Sequence, residues 1–267
     1  MSRPTPALRE RTTPLRPQLA GHASVKIIGL GGVGAIVARY GAMFLRSLAR
    51  DARLVLIDGD SFEAGNAGRM LFARAGNKAA VVREELLPHL RDSCVTLLAI
   101  EEYVKPESVG RLLHEGDIVV LAVDNHATRK LVGEFCASQL RDVCLISGGN
   151  DGVGEDGSGR MLRGTYGNCQ IHVREGGADV TPPLTHLHPE IREPADRLPT
   201  SASCTELAGS VPQILFANLT VAATMLNTLW LHLCGGLHYG EVCFDIAEAL
   251  MRPVLPLPLG RPASPEG

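Results

Sequence analysis

The chain has 267 residues, is 45% hydrophobic and 21% charged, and carries a formal net charge of −3. That composition suits one large α/β domain with a substantial core and gives no sign of a nucleic-acid surface. No stretch reaches the roughly 18 consecutive apolar residues that a membrane span needs, and no apolar secretory leader stands at the N-terminus. Seven cysteines, an odd number with no C-x-x-C pair, point to reduced thiols in a cytoplasmic protein and weaken any structural zinc site.

Residues 1–20 read as an extended arm, with Pro4, Pro6, Pro14 and Pro17 set among Arg3, Arg9, Arg11 and Arg16. From Ser24 an alternation begins. Apolar strand-like runs occur at 25–28, 53–57, 95–100, 118–123 and 143–146. Helix-like stretches lie between them at 33–49, 77–90, 106–114 and 127–139. Short apolar strands alternating with helices predict a doubly wound, mostly parallel, Rossmann-like α/β sheet with right-handed crossovers. Residues 21–150 form its nucleotide-binding half. Residues 151–203, rich in glycine, proline and polar side chains, read as a long crossover and partner-binding segment with one or two strands at 161–173. Residues 204–252 supply a long apolar helix and a final strand at 241–246, completing the same domain. The proline-rich tail, 253–267, is expected to lack fixed structure.

The chemistry concentrates between Val25 and Lys78. The turn Gly29-Leu30-Gly31-Gly32-Val33-Gly34 follows the first strand. Gly29 permits a tight strand-to-helix turn. Gly31 and Gly32 let a phosphate approach the backbone, Gly34 allows close helix packing, and the helix N-terminus favours negative charge. A purely structural glycine turn is the alternative. Asp58, followed by Asp60, ends the second strand, where a ribose acceptor belongs. That arrangement also fits an ordinary NAD-binding domain. Asn66, Arg69 and Lys78 separate the two readings. A hydride-transfer enzyme has no use for them, whereas displacement of pyrophosphate from ATP needs cations against the polyphosphate. No Walker-type loop is present.

Asp124 ends the fourth apolar run, with Asn125 beside it and Arg129 four residues beyond Asn125. A carboxylate facing a triphosphate would hold Mg²⁺. Helix N-capping is the alternative, stronger for Asn125 than for Asp124. Among the cysteines, Cys204 stands at an expected helix start, where the dipole favours thiolate, and Cys169 lies near the crossover. The other five sit in or beside apolar runs and read as core. His186 and His188 have no third metal ligand at a suitable spacing and read as loop residues.

This order of motifs resembles the ThiF/MoeB/ubiquitin-activating-enzyme superfamily (HesA/MoeB/ThiF). The likeness is strong over about residues 24–150 and resumes weakly at Ser203-Cys204-Thr205-Glu206. It implies adenylation of the C-terminal glycine carboxylate of a small ubiquitin-like β-grasp protein, with release of pyrophosphate. By motif, Asp58 would bind ribose, Asn66, Arg69 and Lys78 the phosphates, and Asp124 the Mg²⁺. ATP and Mg²⁺ are the implied cofactors, without zinc. The implied assembly is a homodimer in which Arg9 or Arg11 reaches the neighbouring site. Met70 departs from the Gln common after the arginine. The compact form looks bacterial and leaves two pathways open: sulfur-carrier activation for thiamin or molybdopterin, or an antiphage ubiquitin-like conjugation operon. In the second, Cys204 would form a thioester for a conjugating enzyme. An NAD-dependent oxidoreductase and a non-catalytic nucleotide-bound scaffold stand as alternatives from other classes.

Overall fold

The computed structural model describes residues 14–21, 23–62, 71–155, 159, 161–199 and 213–255. In the first half, β1 (Ala23–Ile28), α1 (Gly34–Ser47), β2 (Ala52–Ile57), a small hairpin of β3 (Ser61–Phe62) and β4 (Gly76–Asn77), α2 (Lys78–Leu90) and β5 (Val95–Ile100) succeed one another. They are followed by α3 (Val109–Leu112), β6 (Ile118–Leu121), α4 (His126–Gln139) and β7 (Val143–Asn150). The second half contains β8 (Val153–Glu155), β9 (Met161–Arg163), β10 (Tyr166–Glu175), β11 (Ala178–Asp179), α5 (Pro189–Arg192), α6 (Leu215–Leu233), β12 (Glu241–Asp245) and β13 (Leu250–Val254).

The main sheet runs β13-β12-β10-β7-β6-β1-β2-β5, with β11 attached to β10. From β7 to β5 every pairing is parallel, and beyond β7 every pairing is antiparallel. The chain leaves β1 towards β2 and β5, then returns to the other side of β1 as β6. That reversal opens a crevice at the carboxyl ends of β1 and β6, where open α/β sheets bind ligands. The expected doubly wound sheet is therefore present.

Each face carries its own core. Helices α1, α2 and α6 bury Val37, Leu45, Val82, Val221 and Met225 against one face. On the other face, α3 and α4 bury Leu112, Val132 and Cys136. Strands covered on both sides lose their polar alternation, and Leu54, Val55, Leu56 and Ile57 of β2 are all buried. At the opposite end from the crevice, buried Lys26 of β1 pairs with Asp117 at 2.6 Å and approaches His114 Nδ1 at 3.0 Å.

Two parts depart from the sequence expectation. The segment 151–203 is not all crossover. Its β10 is an internal strand matched with β7 over eight residue pairs, while β8 and β9 pair with each other apart from the main sheet and the stretch beyond β11 leaves it. Alternation in 161–173 signalled strand character, but pairing with β7 is a long-range event. The proline-rich tail begins with sheet: β13 pairs with β12 through Pro253, opposite Val242. Proline is tolerated there because β13 is the edge strand.

Candidate functional site

The glycine turn closes the carboxyl end of β1. Gly29 has a φ of +85°, and a Cβ there would stand 2.9 Å from the Ala122 carbonyl oxygen. A Cβ on Gly34 would meet the Gly29 oxygen at 1.8 Å, so α1 begins directly against the turn and its strand. Gly31 and Gly32 are partly exposed, leaving the N-terminus of α1 open to the crevice.

The next strand supplies the acids. Asp58 Oδ2 accepts the Leu30 N–H at 2.5 Å, and its Oδ1 accepts the Asp60 N–H at 2.8 Å. Burial raises the Asp58 pKa, opposed by the charge of Lys78 and by these backbone donors. Lys78, 7% exposed, forms an ion pair with Asp60, and its backbone N–H donates to the Asp60 oxygen at 2.9 Å. Asn77 completes the arrangement. Its side-chain nitrogen donates to the backbone oxygens of Asp58 and Asp60, and its side-chain oxygen caps α2 by accepting the Ala80 N–H. Sequence reasoning missed Asn77, although an Asn immediately before a helix is a recognisable cap.

Asn66, Arg69 and Met70 lie outside the described residues. The chain on either side of them is pinned: Phe62 and Phe72 stack with ring centroids 4.6 Å apart. Arg39 of α1 donates to the Leu71 oxygen and to Glu85, each at 2.5 Å.

On the far side of β1, Asp124 and Asn125 follow β6. The Asn125 side chain accepts the Thr128 N–H at 2.8 Å and caps α4. Asp124 is exposed and makes no hydrogen bond or ion pair among the described residues. Arg129 turns inward instead. At 7% exposure it donates to Ser147 Oγ at 2.5 Å, to the Val123 oxygen at 2.6 Å and to the Gly148 oxygen at 2.8 Å. Burial lowers its pKa to about 10, against the charge of Asp124. Arg129 thus locks the ends of β6 and β7 together. A Cβ on Gly149 would come within 2.7 Å of its guanidinium.

The stretch beyond β11 is fastened over α4 and the sheet end. Leu184 lies against Gly133, and Ile191 is buried. The Asp196 carboxylate accepts the His126 and Ala127 N–H groups at 2.7 and 2.8 Å, at the start of α4. His188 is more than a plain loop residue: it bridges Glu190 at 2.7 Å and Glu241 at 2.8 Å, and Glu241 also accepts from Asn168. Burial opposes charge on His188, but the two carboxylates outweigh it and raise its pKa.

Cys204 lies outside the described residues. Cys169 is wholly buried, and burial pushes its thiol up to about 12, unlike a reactive thiolate. Cys136 and Cys144 are core residues as expected, but Cys94 is exposed and Cys234 and Cys243 are half-buried. Cys94 stands just before β5 rather than within it, and Cys243 lies next to the edge strand, so apolar neighbours in sequence did not bury them.

The sequence model of the ThiF family matches residues 17–228. The adenylyltransferase and sulfurtransferase MOCS3 of Dictyostelium discoideum is 35% identical over 130 residues, covering 48% of this chain and 29% of that protein. The adenylyltransferase and sulfurtransferase uba4 of Aspergillus niger is 31% identical over 119 residues, covering 42% and 23%. The chain thus spans less than a third of the length of these curated relatives. Among solved structures, E. coli MccB with ATP superposes with a TM-score of 0.61 at 17% identity, covering 89% of this chain and 65% of that one. MccB in complex with N-formylated MccA gives 0.62, also at 17% identity, covering 89% and 66%. At such identities the likeness establishes the fold.

Proposed function

This chain belongs to the ThiF family, and from that premise we propose that it adenylates the C-terminal carboxylate of a small β-grasp protein using ATP. The observation that carries the reading is the set of groups around the glycine turn. Asp58, Asp60 and Lys78 converge on one side of β1, and Asp124, exposed and without a hydrogen bond or ion pair among the described residues, lies beyond β6 on the other. Asp58 takes the ribose, and Lys78 and Arg69 face the phosphates, with Asn66 beside them. Asp124 fits a magnesium ion, which takes one or two carboxylates and completes its shell with phosphates and water. Bound there, the ion would neutralise phosphate charge.

The tail's carboxylate oxygen attacks the α-phosphorus. An acyl–phosphate bond forms, the bond to the β-phosphate breaks, and pyrophosphate leaves. The nucleophile is already ionised, so the protein's contribution is positioning and charge neutralisation. Tyr40 and Met43 of α1, and Phe216 and Leu219 of α6, are exposed. This apolar surface supports a homodimer, in which Arg9 or Arg11 of a partner would complete the site.

The names of the curated relatives favour a sulfur-carrier protein as the partner. Conjugation through a Cys204 thioester is the second pathway and requires that cysteine to be a mobile thiolate. Family membership argues against the oxidoreductase alternative. ATP–pyrophosphate exchange driven by a β-grasp protein ending in Gly-Gly tests the proposal. Exchange that depends on the terminal carboxylate supports it. NAD binding without exchange overturns it.

A further inference from the structure

Asn218 is wholly buried near the start of α6, and neither its amide oxygen nor its amide nitrogen has a hydrogen-bond partner among the described residues. Leaving both unpaired in a buried site is costly, so a ligand that pairs them would be favoured there. Its place can be triangulated. Val221 and Met225, farther along the same helix face, press on Gly148, where a Cβ would meet them at 2.8 and 2.4 Å. Ile214, one turn earlier, lies by Gly164, just ahead of β10. Asn218 therefore stands at the level of the paired residues Asn150 and Gly167.

Asn150 points to that same face. Side chains alternate along a strand: Cys144 and Ile146 belong to the α6-side core, whereas Val143 and Leu145 belong to the α4 side. The Asn150 amide oxygen likewise has no partner among the described residues. Both carboxamides are thus placed on the α6 side near the carboxyl end of β7, with the Asn150 nitrogen donating to the Asp151 oxygen, and the half-burial of Asn150 gives access from the crevice.

We infer that Asn218, with Asn150 beside it, reads a backbone peptide group of the substrate's extended tail; this rests on the activation reading above. A carboxamide offers one acceptor and two donors, the complement of a peptide N–H and C=O. Strand β7 lies two strand spacings from β1, about 10 Å at roughly 4.8 Å each. An extended chain covers about 3.3 Å per residue. With the terminal carboxylate at the glycine turn, Asn218 meets the peptide group about three residues from the end.

The test uses a semisynthetic β-grasp carrier ending in Gly-Gly, with single amide-to-ester replacements along its last four peptide bonds, read by pyrophosphate exchange. An ester removes one N–H donor. In the wild-type enzyme the ester about three residues from the end raises the carrier KM by about tenfold, the scale of one such bond, and leaves the KM for ATP unchanged. Asn218→Leu, near in volume, raises the all-amide carrier KM by about tenfold, shows no further ester penalty, and raises the Tm because it removes an unpaired buried amide. An ester penalty that persists in Asn218→Leu, or a fall in its Tm, makes Asn218 a structural residue and overturns the inference. Exchange insensitive to every ester overturns this inference alone; absence of exchange with the all-amide carrier overturns the activation reading as well.

Discussion

The carboxylate of Asp58, at the end of β2, accepts the backbone N–H of Leu30, inside the glycine turn after β1, at 2.5 Å. One acid therefore shapes the turn that would receive the phosphates and stands where the ribose would bind. Hydrogen bonds to a charged group are worth about 1.5–3 kcal/mol. Asp58→Ala should weaken ATP binding by ten- to a hundredfold in a calorimetric titration, with a parallel loss of stability. Unchanged affinity would remove Asp58 from the nucleotide site.

Arg69 and Asp124 test the chemistry itself. Arg69→Ala and Asp124→Ala should each lower pyrophosphate exchange by at least about a hundredfold, the scale of losing a strong charge contact in the transition state. Asp124 makes no hydrogen bond or ion pair among the described residues, so Asp124→Ala should fold and lose only the modest stability that its charge lends to buried Arg129. Wild-type-like exchange in either variant would refute the assignment.

Gly34 tests the packing of α1. The Cβ of Gly34→Ala would lie 1.8 Å from the Gly29 oxygen and 3.3 Å from the Ala122 Cβ. Neither neighbour can move without displacing β1 or β6. Such overpacking against backbone should destabilise the protein by about 3 kcal/mol, the upper end of the usual overpacking range, measured by urea unfolding.

Arg129 separates structural cations from phosphate ligands. Arg129→Met would leave Ser147 Oγ and the Val123 and Gly148 oxygens without their donor. Destabilisation of about 3 kcal/mol should result. ATP binding should persist below the lowered melting temperature, unlike the loss expected for Asp58→Ala.

His188 makes the seating of the crossover stretch pH-dependent. Its pKa is raised in the folded state by Glu241 and Glu190, against the effect of burial. The resulting stability is complete below the ordinary histidine value of 6.5 and is lost as the pH rises through the folded value. His126, His172 and His232 are shifted downward by burial, so their contribution runs the other way, fading as the pH falls. The informative quantity is therefore the difference between wild type and His188→Gln. It should be about 1–2 kcal/mol below pH 6.5 and shrink at higher pH. A pH-independent difference would dismiss the charged bridge.

The nucleotide half was legible because its signals are local. A strand, a glycine turn and a helix start within ten residues declare themselves by composition. Lys78 and Asp60 were both singled out, but their pairing was not foreseen, because it is made across the short β3–β4 hairpin. Asn125 was weighed as a cap, and it is one. His188 could not be read correctly, since Glu241 lies 53 residues away. Asp196 could not be foreseen at the start of α4, 70 residues distant, and nothing near Pro253 in the sequence announces a strand whose partner is β12.

By itself the sequence determined the α/β alternation, the glycine turn and the identity of the charged groups near it, because backbone preference and apolar periodicity act over a few residues. Tertiary structure alone decided that Arg129 is buried while Asp124 is exposed, that β10 joins the sheet, and that Asn218 is buried under α6. Each of these depends on which distant segment lies alongside, and the free energy that selects it comes from burial and pairing between elements rather than from preferences within them.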